Sequence, residues 1–527
     1  MSEIMQLKDQ LIEAIKTSQP KPLAAGESVI EIHGALRHLT AFYERLRQLI
    51  DYQEERFIRR LAIRRILFRR ILIEGDRKPI GEALARELIR AAYIENAKYP
   101  TRTAMEIDEI LKKYLAALPA VERRYQPPEL IRMQRRLLGI AAAEIEDYLT
   151  PAYIDRVLAE RLAVEIASYT KTNVTDDIRL IALRQFLKAD AELATWRLTQ
   201  RGDKTTPGSL PTIWEKFVAT PGEHVSELLR EIVKCEFLIN DRRIEARVRH
   251  YQRLTPPYIL LADLAYERAK DIHLLADQPD KLDRALASLL QERLEWTEGK
   301  LHRAMIRATV YIFITKVIIG IALEIPYDLS TMGHIAYLPV IINILVPPLL
   351  MVIAALSIRP PSSTNNEILL KRSKMLFNDG DIPFLVEFEG HRPRSGFKSF
   401  FNTLFYFAAY VVSFGGVIWV LNRLSFNIAS MLVFLFFISV VGFFAFRIRA
   451  SAKEMAVIRE SEGIAILIFD FFALPFLRIG RWLSVTVRQI NVVLFVLDFL
   501  IEAPLKVVFV AIEDWFAFLR EKREELS

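Results

Sequence analysis

"AMIRATVYIFITKVIIGIALEI", residues 304–325, decides how the rest of this chain is read. It is apolar over roughly the 20 residues a helix needs to cross a bilayer. Yet Lys316 lies midway along it and Glu324 near its far end. Upstream, no proline occurs between Asp280 and Glu324, and only Gly299 and Gly320 interrupt the run. Leu282, Leu286, Leu289 and Trp296 form an apolar stripe there. The spacing predicts one continuous helix of about 45 residues, about 68 Å long, joining a polar region to a first membrane span.

Downstream, three further apolar runs have spanning length: 335–357, 400–421 and 427–446. The spacing makes two helical hairpins, 304–357 and 400–446, turning through "PYDLSTMGH" and "NRLSF". Basic residues set the expected orientation. The connection 358–399 carries Arg359, Lys371, Arg372, Lys374, Arg392, Arg394 and Lys398, whereas the two turns share only Arg423. Arg447, Arg449, Lys453 and Arg459 follow the fourth run. Both turns are therefore expected outside, and residues 1–300, 358–399 and 447–463 inside. The N-terminus, MSEIMQLKDQ, lacks the basic and apolar regions of a signal peptide. The expected setting is a bacterial inner membrane with a cytoplasmic N-terminal domain.

Composition agrees with a chain of two characters. Hydrophobic residues make up 52% and charged residues 26%, an unusual combination for one soluble globule. Residues 301–527 hold 22 basic and 18 acidic residues, leaving 49 and 46 in residues 1–300. The excess positive charge is thus spread along the chain. A nucleic-acid binder concentrates it on one face, so nucleic acid is not an expected partner. The single cysteine, Cys235, rules out an intrachain disulfide and a paired-cysteine zinc site.

Residues 1–300 show helical rather than alternating periodicity. Helices are expected at 3–17, 28–73, 79–97, 103–117, 128–148, 151–169, 174–199, 223–251 and 257–275. The domain plan is an N-terminal helix and linker (1–27), a first lobe (28–200), a linker (201–222) and a second lobe (223–303) running into the membrane. Hairpins 304–357 and 400–446 flank the loop 358–399, and 447–527 is an amphipathic, membrane-associated tail. The fold class is all-α. Within "RFIRRLAIRRILFRR", residues 56–70, arginine pairs recur every five residues and so spread around a helix. That predicts a helix packed on several sides with its arginines paired to acids. Anionic lipid head groups are the competing partner.

Charges in the apolar part are the candidate site. Thr309, Lys316, Gly320 and Glu324 fall in an arc of roughly 80°. Ionisable groups at membrane depth either line a pathway or pair inside the bundle. The second run carries Pro339, Pro347 and Pro348, with Asn343 four residues before Pro347; a kinked or broken helix is expected. In the tail, Asp498, Glu502 and Lys506 interrupt "DFLIEAPLKVVFVAIEDW", residues 498–515, as one narrow polar stripe. An amphipathic helix on the inner leaflet is preferred there to a fifth span. The candidate polar site is thus Lys316, Glu324, Asn343, Pro347, Pro348, Asp498, Glu502 and Lys506.

No phosphate loop, HExxH or GxSxG occurs. No catalytic residue, cofactor or metal is expected. About 300 residues of motif-free helix preceding four spans suggest a membrane scaffold or adaptor that binds a protein partner or itself, with the lipid bilayer as its medium. An ion or solute transporter using Lys316, Glu324, Asp498 and Glu502 is the alternative, and a membrane enzyme the weakest reading.

Overall fold

Helix starts are written into the sequence as short polar residues ahead of apolar periodicity. Asp190 Oδ1 accepts from Leu193 N at 3.0 Å, and Thr212 and Glu215 form a reciprocal capping box. Asn427 Oδ1 accepts from Ser430 N at 2.7 Å. Each satisfies backbone donors that have no partner inside the helix. In the computed structural model, residues 7–18, 28–30, 55–75, 80–91, 93–96, 98–200, 212–356, 361–378, 396–458, 471, 473–479 and 482 are described. Helix makes up 85% of the structure, with no strand among the described residues, so the fold is all-α. Two compact units result, one of Met1–Asp283 with Arg372–Pro383, the other of Arg284–Lys371 with Phe384–Ser527.

The first unit begins with α1 (Leu7–Ser18), α2 (Glu55–Phe68), α3 (Gly81–Arg90), α4 (Arg102–Arg124) and α5 (Glu129–Leu149). It continues through α6 (Tyr153–Thr170), α7 (Asp176–Phe186), α8 (Ala191–Thr199), α9 (Ile213–Ala219) and α10 (Pro221–Asn240). α11 (Arg242–Tyr251), α12 (Pro256–Glu267) and α13 (Ile272–Asp277) follow. Several expected helices are shorter or split. Ser28–Ile30 is extended, because Ile30 N donates to Tyr99 O and Thr101 N to Ser28 O, both at 2.9 Å. The expected helix 174–199 breaks where Lys188 takes a left-handed φ of 48° and Asp190 caps a new start. The expected 223–251 breaks at Asp241, which caps α11. Conversely, α4 runs on through Pro119 to Arg124.

One apolar core joins both sides of the 201–222 connection: Leu84, Tyr114 and Leu137 lie in the same cluster as Phe217, Leu228 and Ile232. The ring of Trp214 meets Trp196 edge-on at 4.5 Å. The compact units therefore part near residue 284 rather than at 201–222, because α9 and α10 complete the core that α3, α4 and α5 begin. At one contact only glycine fits. A Cβ on Gly81 would stand 2.1 Å from the carbonyl oxygen of Ala104, and Gly81 N donates to Asp108 Oδ1 at 2.7 Å.

The second unit carries the apolar helices. α14 (Pro279–Ile319), which starts in the first unit, passes through a π-helical turn, Gly320–Glu324, into α15 (Ile325–Met332). α16 (Tyr337–Leu356), α17 (Ser363–Asn378), α18 (Gly396–Arg423) and α19 (Ile428–Ala452) follow. Helices Pro279–Thr331, Tyr337–Leu356 and Ile428–Ala452 are long and apolar enough to cross a membrane, which marks a membrane protein. The third expected run, 400–421, lies on α18, whose apolar stretch among the described residues is the shorter Phe407–Arg423. Despite Pro347 and Pro348, α16 is one unbroken helix. The prolines remove only the bonds that Asn343 and Ile344 carbonyls would accept, and both rings are buried.

Candidate functional site

A lysine in an apolar helix needs a carboxylate and a dry, shaped setting. α14 supplies Lys316 and the π-helical turn supplies Glu324. A regular α-helix would leave them about 80° apart; the wider π-helical turn winds less per residue and narrows that gap. Lys316 Nζ lies 2.9 Å from Glu324 Oε1. The other carboxylate oxygen, Oε2, accepts from Asn343 Nδ2 on α16 at 2.7 Å. The second hydrogen of that amide reaches Ser430 O on α19 at 3.2 Å. The Lys316 ammonium also lies 4.7 Å from the Phe437 ring centroid, a cation–π contact from α19. Lys316, Glu324 and Asn343 are 0%, 1% and 0% exposed.

A second polar layer adjoins the first. Buried Asp328 on α15 accepts from Ala336 N at 3.2 Å and from Asn427 Nδ2. Asn427 caps α19 at Ser430 N, the residue whose carbonyl holds Asn343. One chain of polar contacts thus ties α14, α15, α16 and α19. The structure brings together Lys316, Glu324 and Asn343 of the expected site, with Pro347 and Pro348 buried farther along α16. Asp498, Glu502 and Lys506 lie outside the described residues. Asp328, Asn427 and Ser430 were not expected. Asn427 alone left a signal, as an asparagine directly before an apolar run.

No known family model, curated protein or solved structure matches this chain. The chemistry must be read from the side chains alone. Among the described residues no group of His, Cys, Asp and Glu is placed to hold a metal ion.

The first unit holds a second buried charge cluster. Glu165 on α6 and Arg372 on α17 are both 0% exposed and form an ion pair. Tyr258 Oη on α12 donates to Glu165 Oε2 at 2.7 Å. Burial pushes the Glu165 carboxyl above its ordinary range, and Arg372 and Tyr258 offset only part of that. Arg372 belongs to the stretch expected as the loop 358–399, where its sequence signal was only that of a positive charge. The arginines of 56–70 are paired, as their scatter around the helix implied. Arg56 meets Asp155 at 2.7 Å, Arg60 meets Asp190 at 2.9 Å and Arg64 meets Glu192 at 2.7 Å. Arg69 and Arg70 share Glu87 at 2.6 Å each.

Proposed function

We propose that this chain is a membrane-embedded scaffold or adaptor. Its helical body lies on the cytoplasmic side and its apolar helices cross the bilayer as two hairpins. The observation that carries the reading is the burial of the mutually bonded Lys316–Glu324–Asn343 cluster. Lys316 pairs with Glu324 farther along its own helical run, Asn343 ties that carboxylate to α16 and reaches Ser430 O on α19, and all three are closed off from solvent. A group that carries ions or solute must exchange partners, whereas a lock between helices keeps them. The first hairpin is further supported by Arg372. Its place among Glu165 and Tyr258 in the first unit fits a chain that leaves along α14 and returns along α16 before α17 begins. The cytoplasmic assignment rests on the basic residues at that end of the helices.

Transport is the second reading, favoured by the ion pair itself, since charged residues at membrane depth mark pathways in many proteins. The full chain in sealed vesicles, loaded with a pH-sensitive dye, separates the two. The scaffold reading expects proton and cation leak equal to that of protein-free vesicles. It also expects chemical cross-linking in native membranes to yield discrete species larger than the chain. Leak that Lys316→Met abolishes, with only single chains after cross-linking, would overturn it.

A further inference from the structure

Outside the buried cluster, the most ordered pattern of exposed chemistry in the second unit is a lane along α14. Taking Lys300 as 0° and about 100° per residue, Trp296, Arg303 and Arg307 all fall within about 60° of it. Trp296 is 55% exposed, and Lys300 Nζ stacks 4.6 Å from its ring centroid. Arg307 Nε donates to Arg303 O at 3.1 Å, which draws its head back along the helix. The same lane continues as Tyr311, Ile314 and Ile318, each more than half exposed. An aromatic and three cations therefore stand at the head of an apolar track about 10 Å long, at 1.5 Å per residue.

A neighbouring helix adds a fourth cation. α14 packs its other face, through Ala308 and Ile312, on Phe437, Val441 and Ile448 of α19. The two helices are antiparallel: Lys316 lies over Phe437 while Tyr311 meets Phe444 at 6.3 Å. One turn onward from that contact, in the same direction on both helices, stand Arg307 and Arg447. On the lane the nearest acid is Glu292, a turn beyond Trp296 on the polar side, and Glu454 follows the end of α19.

We infer that this lane is a binding site for one phospholipid with a net negative headgroup. Guanidinium groups fit phosphate oxygens in a bidentate manner. The lysine and arginine stems lie on apolar surface while their heads reach the interface. Tryptophan sits at headgroup level, and Tyr311, Ile314 and Ile318 receive an acyl chain. The inference rests on the reading that α14 crosses a membrane, and it assigns a specific lipid class to one face of that helix.

The test uses the full chain in detergent, delipidated, with phosphatidylglycerol or phosphatidylcholine added and binding counted by native mass spectrometry. The native chain is expected to prefer the anionic lipid. At about fivefold per basic residue, the K300Q/R303Q/R307Q variant loses that preference on the order of tenfold or more. Arg447→Gln, a milder change on the second helix, lowers it severalfold. The R449Q/K453Q control, on other faces of α19 and beyond its end, leaves it unchanged. Equal binding of the two lipids by the native chain would overturn the site, as would an equal loss in the control. Alkaline extraction of native membranes separates the two ideas. Retention of native and triple-variant chains keeps the membrane reading whatever the lipid result, and release of both overturns that reading and the lipid site with it.

Discussion

Glu165 shows how a single buried group sets the terms for its neighbours. Its carboxylate has no exposure and is held by Arg372 and Tyr258. Removing Arg372 alone leaves an uncompensated buried charge, a loss of about 3–5 kcal/mol. Arg372→Met is therefore expected to lower the urea midpoint of the full chain sharply, and E165M/R372M to recover most of it. The pH dependence follows from the same burial. With its folded pKa raised above the ordinary 4.5, Glu165 binds its proton more readily in the native than in the unfolded chain. Its contribution is favourable near the unfolded value and is lost as pH rises through the folded one. Glu144, Glu146 and Glu192, also raised by burial, act in the same direction. The native chain is expected to lose stability as pH rises above about 4.5 through this window, and E165M/R372M to show a shallower slope. An unchanged slope would remove Glu165 from the explanation.

At the scale of the helix, the legible and illegible parts of this fold separate along physical lines. Lys316 and Glu324 were conspicuous because a charge in an apolar run has few explanations. Asp328 and Ser430 were not, because turn residues of these types are common and only tertiary contact gives them a role. The split of 174–199 was hidden for the same reason: a left-handed lysine at 188 leaves no mark in composition. Pro347 and Pro348 misled in the opposite sense, since a packed helix absorbs two missing hydrogen bonds. Gly442 on α19 is a close-contact residue of the kind that sequence marks only as small. A Cβ there would stand 2.9 Å from the backbone carbonyl of Phe476, in helical residues 473–479. Gly442→Ala is expected to push this segment away and destabilise the bundle by about 1–3 kcal/mol. Faster proteolysis within 459–482 would reveal it, and unchanged proteolysis would count against that contact.

For the whole molecule, the all-α class and the division of character near residue 300 were readable from composition and charge. The helices themselves were readable from periodicity and caps. What could not be read was that the first unit is discontinuous. Arg372–Pro383 lies far along the chain, yet belongs with Met1–Asp283. Pairing of Arg372 with Glu165, more than 200 residues away, is invisible to any local window. On this long-range closure rests the proposal of a complete hairpin between Asp283 and Arg372. Cysteine labelling in sealed, right-side-out membranes tests it most directly, with the buried Cys235 replaced by alanine. Thr331 and Thr364 are both exposed and lie on either side of α16. The account predicts that T331C reacts with an impermeant maleimide from outside, and that T364C reacts only after the membrane is opened. Equal labelling of both positions in intact membranes would contradict it.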